Sequence, residues 1–266
     1  MTAATGGVGS RTVRELLARG SDVVALARRP EAVSATEARR ADYDDPASLR
    51  RAFAGLDTLV FISSDGVVET MVRHHEHVVA AAIDAGVPHV VYTSIVDIAP
   101  DSRFYYSPGH QDTEAWLRAS GIRCCFARTS IFADFFVETW LAAETLAVNA
   151  GAGGMSLVTR DDTAAVLAAA AADDLEGVID VTGPEALSAA EVAAIAGVPY
   201  EPLDDEEYRR RLAAEGNPGW LIEAFSSMFR SVVEGRFAVV SGDVARLTGR
   251  PQQPFADFLR REIAGS

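Results

Sequence analysis

Apolar residues along this chain gather into short continuous runs, separated by longer stretches with helical spacing. The runs Asp22-Val23-Val24-Ala25-Leu26-Ala27, Thr58-Leu59-Val60-Phe61-Ile62, Val90-Val91-Tyr92-Thr93-Ser94 and Arg123 to Ala127 are bounded by Gly, Pro or polar residues. Such runs predict strands buried on both faces, as in a parallel sheet. Between them, Val13, Leu16 and Leu17 form a helical stripe that ends at Gly20, a residue suited to the left-handed C′ position. Asp45 followed by Pro46 predicts an N-cap and first turn for a helix through Ala54. Further helices are expected over 68–85, with Gly86 beyond the end, and near 110–120. Strands alternating with helices over about 130 residues predict an α/β fold with a doubly wound parallel sheet.

Beyond Ala133 the rhythm changes. The pattern predicts a helix over 134–149, a Gly-rich turn from Gly151 to Gly154, an Ala-rich helix over 162–172 and one more strand at Gly177-Val178-Ile179-Asp180-Val181. From Pro184 onward the segments are mostly helical, with Ser188 placed as N-cap for 189–196. The expected organisation is a sheet domain over 1–133, with 155–182 returning to the sheet. A smaller, mostly helical C-terminal substrate lobe over 184–266 would pack across the sheet's edge.

Composition narrows the classes of function. With 266 residues the chain can bury a large core, and a formal charge of −14 disfavours binding to nucleic acid, which needs a basic surface. No apolar run approaches the roughly 20 residues of a membrane-spanning helix. The N-terminus lacks the charged and apolar regions of a signal peptide, and the two cysteines, Cys124 and Cys125, are adjacent. A reduced, cytoplasmic setting is therefore expected. All 24 Lys-plus-Arg positions are arginine, so no mechanism here can use a lysine.

Chemistry enters at the N-terminus. Thr2-Ala3-Ala4-Thr5-Gly6-Gly7-Val8-Gly9, followed directly by a helical pattern, reads as the phosphate-binding turn of a Rossmann-like dinucleotide fold. Missing side chains at Gly6 and Gly9 let the backbone approach a pyrophosphate, and the helix N-terminus faces its charge. Two features depart from the pattern: Ala3 stands where the usual glycine spacing begins, and almost nothing precedes the turn. The expectation is a sheet short of its central strand over the numbered residues, with that strand lying upstream. An acidic residue about 20 positions after the turn would hold the ribose hydroxyls of NAD. Arg28 and Arg29 occupy that place instead, and guanidinium groups suit a 2′-phosphate, so NADP(H) is favoured.

The segments Ala4-Thr5-Gly6-Gly7-Val8-Gly9, Ala27-Arg28-Arg29-Pro30, Ala41-Asp42-Tyr43-Asp44-Asp45 and Phe61-Ile62-Ser63-Ser64 resemble the NmrA-like branch of atypical short-chain dehydrogenases. Within it the nearest pattern is that of type-2 NAD(P)H:quinone oxidoreductases. Ala85-Gly86-Val87, Tyr92-Thr93-Ser94, His110 with Thr113-Glu114, Ser120-Gly121-Ile122 and Leu247-Thr248-Gly249-Arg250-Pro251 extend the resemblance over nearly the whole chain. It implies that Gly6, Gly7, Val8 and Gly9 hold the pyrophosphate and that Arg28 meets the 2′-phosphate; Thr5 in the same turn and Arg29 beside Arg28 are further candidates by position. Asp42 and Tyr43 would flank the adenine, and Ser63 and Ser64 would run beside the ribose and nicotinamide; Thr93 and Ser94, at the next strand's end, are cofactor-binding candidates by position.

Standard short-chain dehydrogenases use Tyr-x-x-x-Lys, the lysine lowering the tyrosine pKa. Here Tyr106-x-x-x-His110 has the spacing without the lysine. Quinone reduction demands less: hydride passes to an electrophilic ring and the oxygen takes its proton from water. Tyr106 and His110 are the candidate catalytic residues, with His110 as proton or hydrogen-bond donor. Phe132, Phe135, Phe136 and Trp140 could wall a flat substrate, although their helical spacing favours core. His74 and His77 share a helix face without an evident third ligand, so no metal site is expected, and His75 reads as structural or as lying at the cofactor's edge. Cys124 and Cys125 alternate across a strand and read as core rather than as a dithiol. The expected function is an NADPH-dependent oxidoreductase acting on a quinone or similar conjugated carbonyl. The alternative is a non-catalytic NADP(H)-binding redox sensor. A small aromatic or quinone-like substrate is the expected partner, with room for a homodimer and none for nucleic acid or membrane.

Overall fold

The computed structural model describes residues 1–33 and 36–265. In chain order its strands are β1 (Val24–Ala27), β2 (Glu37–Arg40), β3 (Thr58–Phe61), β4 (His89–Ile95), β5 (Arg123–Thr129), β6 (Leu146–Val148), β7 (Gly154–Met155), β8 (Gly177–Val181), β9 (Leu187–Ser188) and β10 (Tyr200–Pro202). The helices are α1 (Gly7–Ala18), α2 (Pro46–Phe53), α3 (Val68–Asp84), α4 (Ser107–Ala119), α5 (Ala133–Trp140), α6 (Arg160–Ala172), α7 (Ala189–Ala196), α8 (Asp205–Ala214), α9 (Gly219–Val233), α10 (Asp243–Thr248) and α11 (Phe255–Gly265).

The parallel pairs β1–β2 and β3–β4–β5–β8 are joined by the first residues of the chain. Thr2 N–H donates to Val60 O at 2.9 Å, while Leu26 N–H donates to Met1 O at 2.8 Å and Ala4 N–H to Leu26 O at 3.2 Å. Met1–Ala4 thus occupies the central position between β1 and β3, and Met1, Thr2 and Ala4 are buried there. The expected gap in the sheet is filled by four residues of the chain itself. The resulting order, β2, β1, Met1–Ala4, β3, β4, β5, β8, is that of the Rossmann fold with a seventh strand.

Local chemistry explains most boundaries. Asp45 caps α2 by accepting from Ser48 N–H, and Ser188 with Glu191 forms a full capping box at α7. Asp204 caps α8 by accepting from Glu207 N–H. One expected helix is corrected: α5 stops at Trp140, and Leu146–Val148 is a strand paired in parallel with Tyr200–Pro202. Leu146 and Val148 are buried while Ala147 is only half-buried, a two-residue period that a helix cannot serve.

Two cores cover the faces of the sheet. One contains Val91, Cys125, Ala127 and the Ala-rich α6; the other contains Leu49, Phe53, Phe61 and Phe126. Cys124 and Cys125 project to opposite faces as free thiols, pushed up by burial to about 11 and about 12. A third core, with Phe136, Trp140, Phe229 and Phe255, lies among the elements beyond β5. Val244 on α10 returns to the α6 core. Among the described residues no helix is long and apolar enough to cross a membrane.

Candidate active site

A cleft of about 710 Å³ opens along the carboxyl ends of the strands. Its floor is the Gly6–Gly9 turn with Ser63, Ser64, Thr93 and Ser94, and its far wall is apolar, from Phe132 and Phe135 to Trp220, Phe225 and Met228 on α9. Gly9 is dictated by sterics, since a Cβ there would stand 2.0 Å from Ala3 O. Gly6 is the N-cap of α1 and offers no side-chain bond, and the first turn carries no acidic residue. The positive end of α1 is therefore left open toward the cleft, as an anion site requires.

Arg160, the first residue of α6, lies across this turn. A Cβ on Gly7 would meet its Cδ at 3.1 Å. Its guanidinium forms a bidentate pair with Glu138 at 2.7 and 3.1 Å, and its backbone N–H donates to the buried Asp134 carboxylate at 2.9 Å. Sequence reasoning missed Arg160 and the α9 wall because neither lies near a strand end in the chain. The Thr159 cap opening α6 is the one local signal that could have drawn attention to Arg160.

Other expected site residues fall into groups. Thr5, Arg28 and Arg29 are exposed, the arginines just beyond β1. Asp42 and Tyr43 follow β2. The Tyr43 hydroxyl donates to Ile62 O and sits 2.7 Å from Thr2 Oγ1, tying the first residues to the end of β3, and burial pushes its pKa up. Ser94 donates to the buried Glu114 carboxylate at 2.6 Å, and Arg128 pairs with the same carboxylate through two nitrogens. Burial would raise Glu114, but the bonds from Arg128 and Ser94 outweigh it and hold the carboxyl below its ordinary value. Thr93 Oγ1 accepts from Ser63 N–H at 2.8 Å.

Tyr106 and His110 both line the cleft. The Tyr106 hydroxyl donates to Gly66 O at 2.8 Å, and burial, with Asp65 nearby, pushes it up to about 12. His110 is buried, with Nδ1 2.7 Å from the Tyr92 hydroxyl, and burial lowers it to about 4. The four-residue spacing places both side chains on the same cleft, and their polar atoms have different partners. The aromatic quartet divides: Phe132 and Phe135 face the cleft, whereas Phe136 and Trp140 are core. His74 bonds Ser64, His77 meets Tyr43 O, and His75 accepts from Ser64 N–H.

Ligands of open α/β sheets bind outside the carboxyl ends of the strands, at the point where strand order reverses. This cleft begins at that point, between β1 and β3, which defines a dinucleotide-binding protein of the Rossmann-like class. The family model for NAD(P)H-binding matches residues 3–174, and the chain belongs to that family. It is 32% identical over 275 residues to a (4-alkanoyl-5-oxo-2,5-dihydrofuran-3-yl)methyl phosphate reductase of Streptomyces griseus, covering 97% of this chain and 95% of that protein. It is 30% identical over 277 residues to quinone oxidoreductase 2 of Escherichia coli, covering 97% and 96%. The crystal structure of an Escherichia coli NADPH-dependent quinone oxidoreductase complexed with NADPH superimposes with a TM-score of 0.91 at 26% identity, covering 98% of each chain.

Proposed function

We propose that this protein is an NAD(P)H-dependent oxidoreductase that passes hydride to a quinone or a similar conjugated carbonyl. The observation that carries the reading is the continuity of the cleft: one end is the open α1 N-terminus and the other is an apolar aromatic wall. The residues present fit the cofactor, because the Gly6–Gly9 backbone lines the cleft and the α1 N-terminus opens there with no side-chain cap and no acidic residue in its first turn. When bound, NAD(P)H supplies the hydride. The protein's part is to hold both reactants. Gly6–Gly9 and Arg160 would take the pyrophosphate, Arg28 and Arg29 the 2′-phosphate, and Thr5 the edge of the turn. Asp42 and Tyr43 would bound the adenine side, and Ser63, Ser64, Thr93 and Ser94 would run under the ribose and nicotinamide.

The missing lysine selects among reactions. Tyr106 has its proton committed to Gly66 O, and among the described residues no cation acts to lower its pKa, so it serves the cleft as a wall. A conjugated carbonyl needs no strong acid, since its reduced oxygen takes a proton from water, and positioning supplies much of the acceleration. The test is steady-state NADPH oxidation with a panel of small quinones and unsaturated lactones. Turnover supports the reading; tight NADPH binding without turnover on any member would sink it and favour the redox sensor. Replacing Arg28 and Arg29 together with Ala is expected to weaken NADPH about tenfold or more and leave NADH unchanged, as for loss of a charge-assisted phosphate contact. Equal losses for both cofactors would remove these arginines from the 2′-phosphate site.

A further inference from the structure

The hydrogen positions around His110 follow from one backbone amide. Ser64 N–H can only donate, and it meets His75 Nε2 at 3.1 Å, so that nitrogen is bare. His75 is buried, and burial lowers it well below its ordinary value, with the charges of His110 and His74 adding to the effect. A neutral His75 therefore carries its proton on Nδ1. That N–H meets Thr113 Oγ1 at 2.8 Å, and the Thr113 hydroxyl passes its own hydrogen to Gly109 O at 2.7 Å. His75 Nδ1–H also faces the Tyr92 hydroxyl oxygen at 3.4 Å, so the Tyr92 hydrogen cannot point that way. It turns to His110 Nδ1, 2.7 Å distant. His110 itself is one of the residues that line the cleft.

The geometry points to a tautomer lock: Tyr92 is a positioning residue that holds His110 as a neutral imidazole with its proton on Nε2, the donor that the cleft offers to a substrate carbonyl oxygen. This rests on the conjugated-carbonyl reading above for the identity of the acceptor, though not for the lock itself. Protonating His110 would put a hydrogen on Nδ1 against the Tyr92 hydroxyl, whose own hydrogen would then face His75 Nδ1–H. The remaining groups around the ring offer no relief. Glu114, one turn along α4, is engaged by Arg128, Arg118 and Ser94, and Tyr106 by Gly66 O. A conjugated carbonyl that accepts hydride gains a carbon–hydrogen bond and moves an electron pair onto its oxygen. The Nε2–H stabilises that oxyanion without releasing its proton, and water supplies the proton the oxygen finally takes.

The decisive measurement is NMR of the full chain labelled with ¹⁵N-histidine, without substrate, between about pH 5.5 and 8, where an unperturbed histidine titrates. The expected wild-type signature is a bare Nδ1 and a protonated Nε2 at His110 across the range. In Tyr92→Phe the tautomers mix, and the rate acquires a pH-dependent limb that the wild type lacks. His110→Leu, which removes the donor, should lose about 100-fold in kcat with the KM for NADPH unchanged, and His110→Gln, which puts an N–H back near Nε2, should recover part of that loss. A bare Nε2 or an imidazolium at pH 6 in the wild type would overturn the lock, whether or not Tyr92→Phe folds. So would a Tyr92→Phe protein with unchanged spectrum and pH profile. The expected signature in a protein that reduces no conjugated carbonyl supports the lock and overturns only the proposed function.

Discussion

Ala3 carries φ of +48°, a left-handed conformation that costs an alanine about 1 kcal/mol. The strain has a use. The Ala3 carbonyl accepts Gly6 N–H at 2.8 Å and fills the space beside Gly9 where a Cβ would fall. Ala3→Gly should therefore stabilise the fold by about 1 kcal/mol in urea unfolding, because glycine enters this region freely. Gly9→Ala should destabilise by about 3 kcal/mol, since the clash is with backbone that cannot step aside. Equal stability of Ala3→Gly and wild type would show that the turn relaxes in solution. The glycines were legible from sequence because their spacing is local. The meaning of Ala3 was not, because a departure from a glycine pattern does not say whether the chain bears the strain or changes the turn.

At the scale of elements, β4 is joined to α3 and α4 by imidazoles packed without charge. His75, Tyr92 and His110 pack at centroid distances of 5.7 to 6.0 Å, with His75 T-shaped against both other rings and Tyr92 tilted against His110. Burial holds His110 at about 4 against an ordinary 6.5. Between those values the unfolded chain binds a proton that the folded chain refuses. Stability therefore rises with pH through this window and falls as the pH drops from 6.5 toward 4. The shift corresponds to about 3 kcal/mol for His110, and His75 acts in the same direction. Urea unfolding at pH 7, 5.5 and 4.5 should show the loss, and His110→Gln should remove much of it; a flat profile would contradict neutral burial. The alternation of strands and helices was legible up to β5 because each buried strand is a continuous apolar run. The polar edge strand β2 was not, since Glu-Ala-Arg-Arg shows no apolar pattern. The stretch after Trp140 misled for the opposite reason: it is apolar enough for a helix, and only its pairing with β10 decides for a strand.

For the whole molecule, the problem is to bind a polyanion with a net charge of −14. Long-range field works against the cofactor, so affinity must come from cations close to the phosphates, where a Debye length of about 8 Å leaves them unscreened. Arg160 is the cation we propose for this place, and it joins parts of the chain far apart in sequence. It lies over Gly7 of α1, opens α6, and is held by Glu138 on α5. No sequence pattern links positions 7, 138 and 160; only the closing of the sheet brings them together. The Glu138 pair is solvent-exposed on the acidic side, and exposed pairs of this kind contribute about 0–1 kcal/mol. It can therefore yield to a phosphate. Arg160→Ala is expected to weaken NADPH about tenfold, in line with loss of one charge-assisted bond. Glu138→Gln should tighten NADPH two- to threefold, at the scale of an exposed pair released. The double variant separates the causes: if Glu138 acts only through Arg160, the benefit of Glu138→Gln vanishes once Arg160 is alanine. Calorimetric titration of the four proteins at fixed salt measures this coupling; additive changes would show that Glu138 acts independently of Arg160, and an unchanged Arg160→Ala affinity would place Arg160 outside the phosphate site.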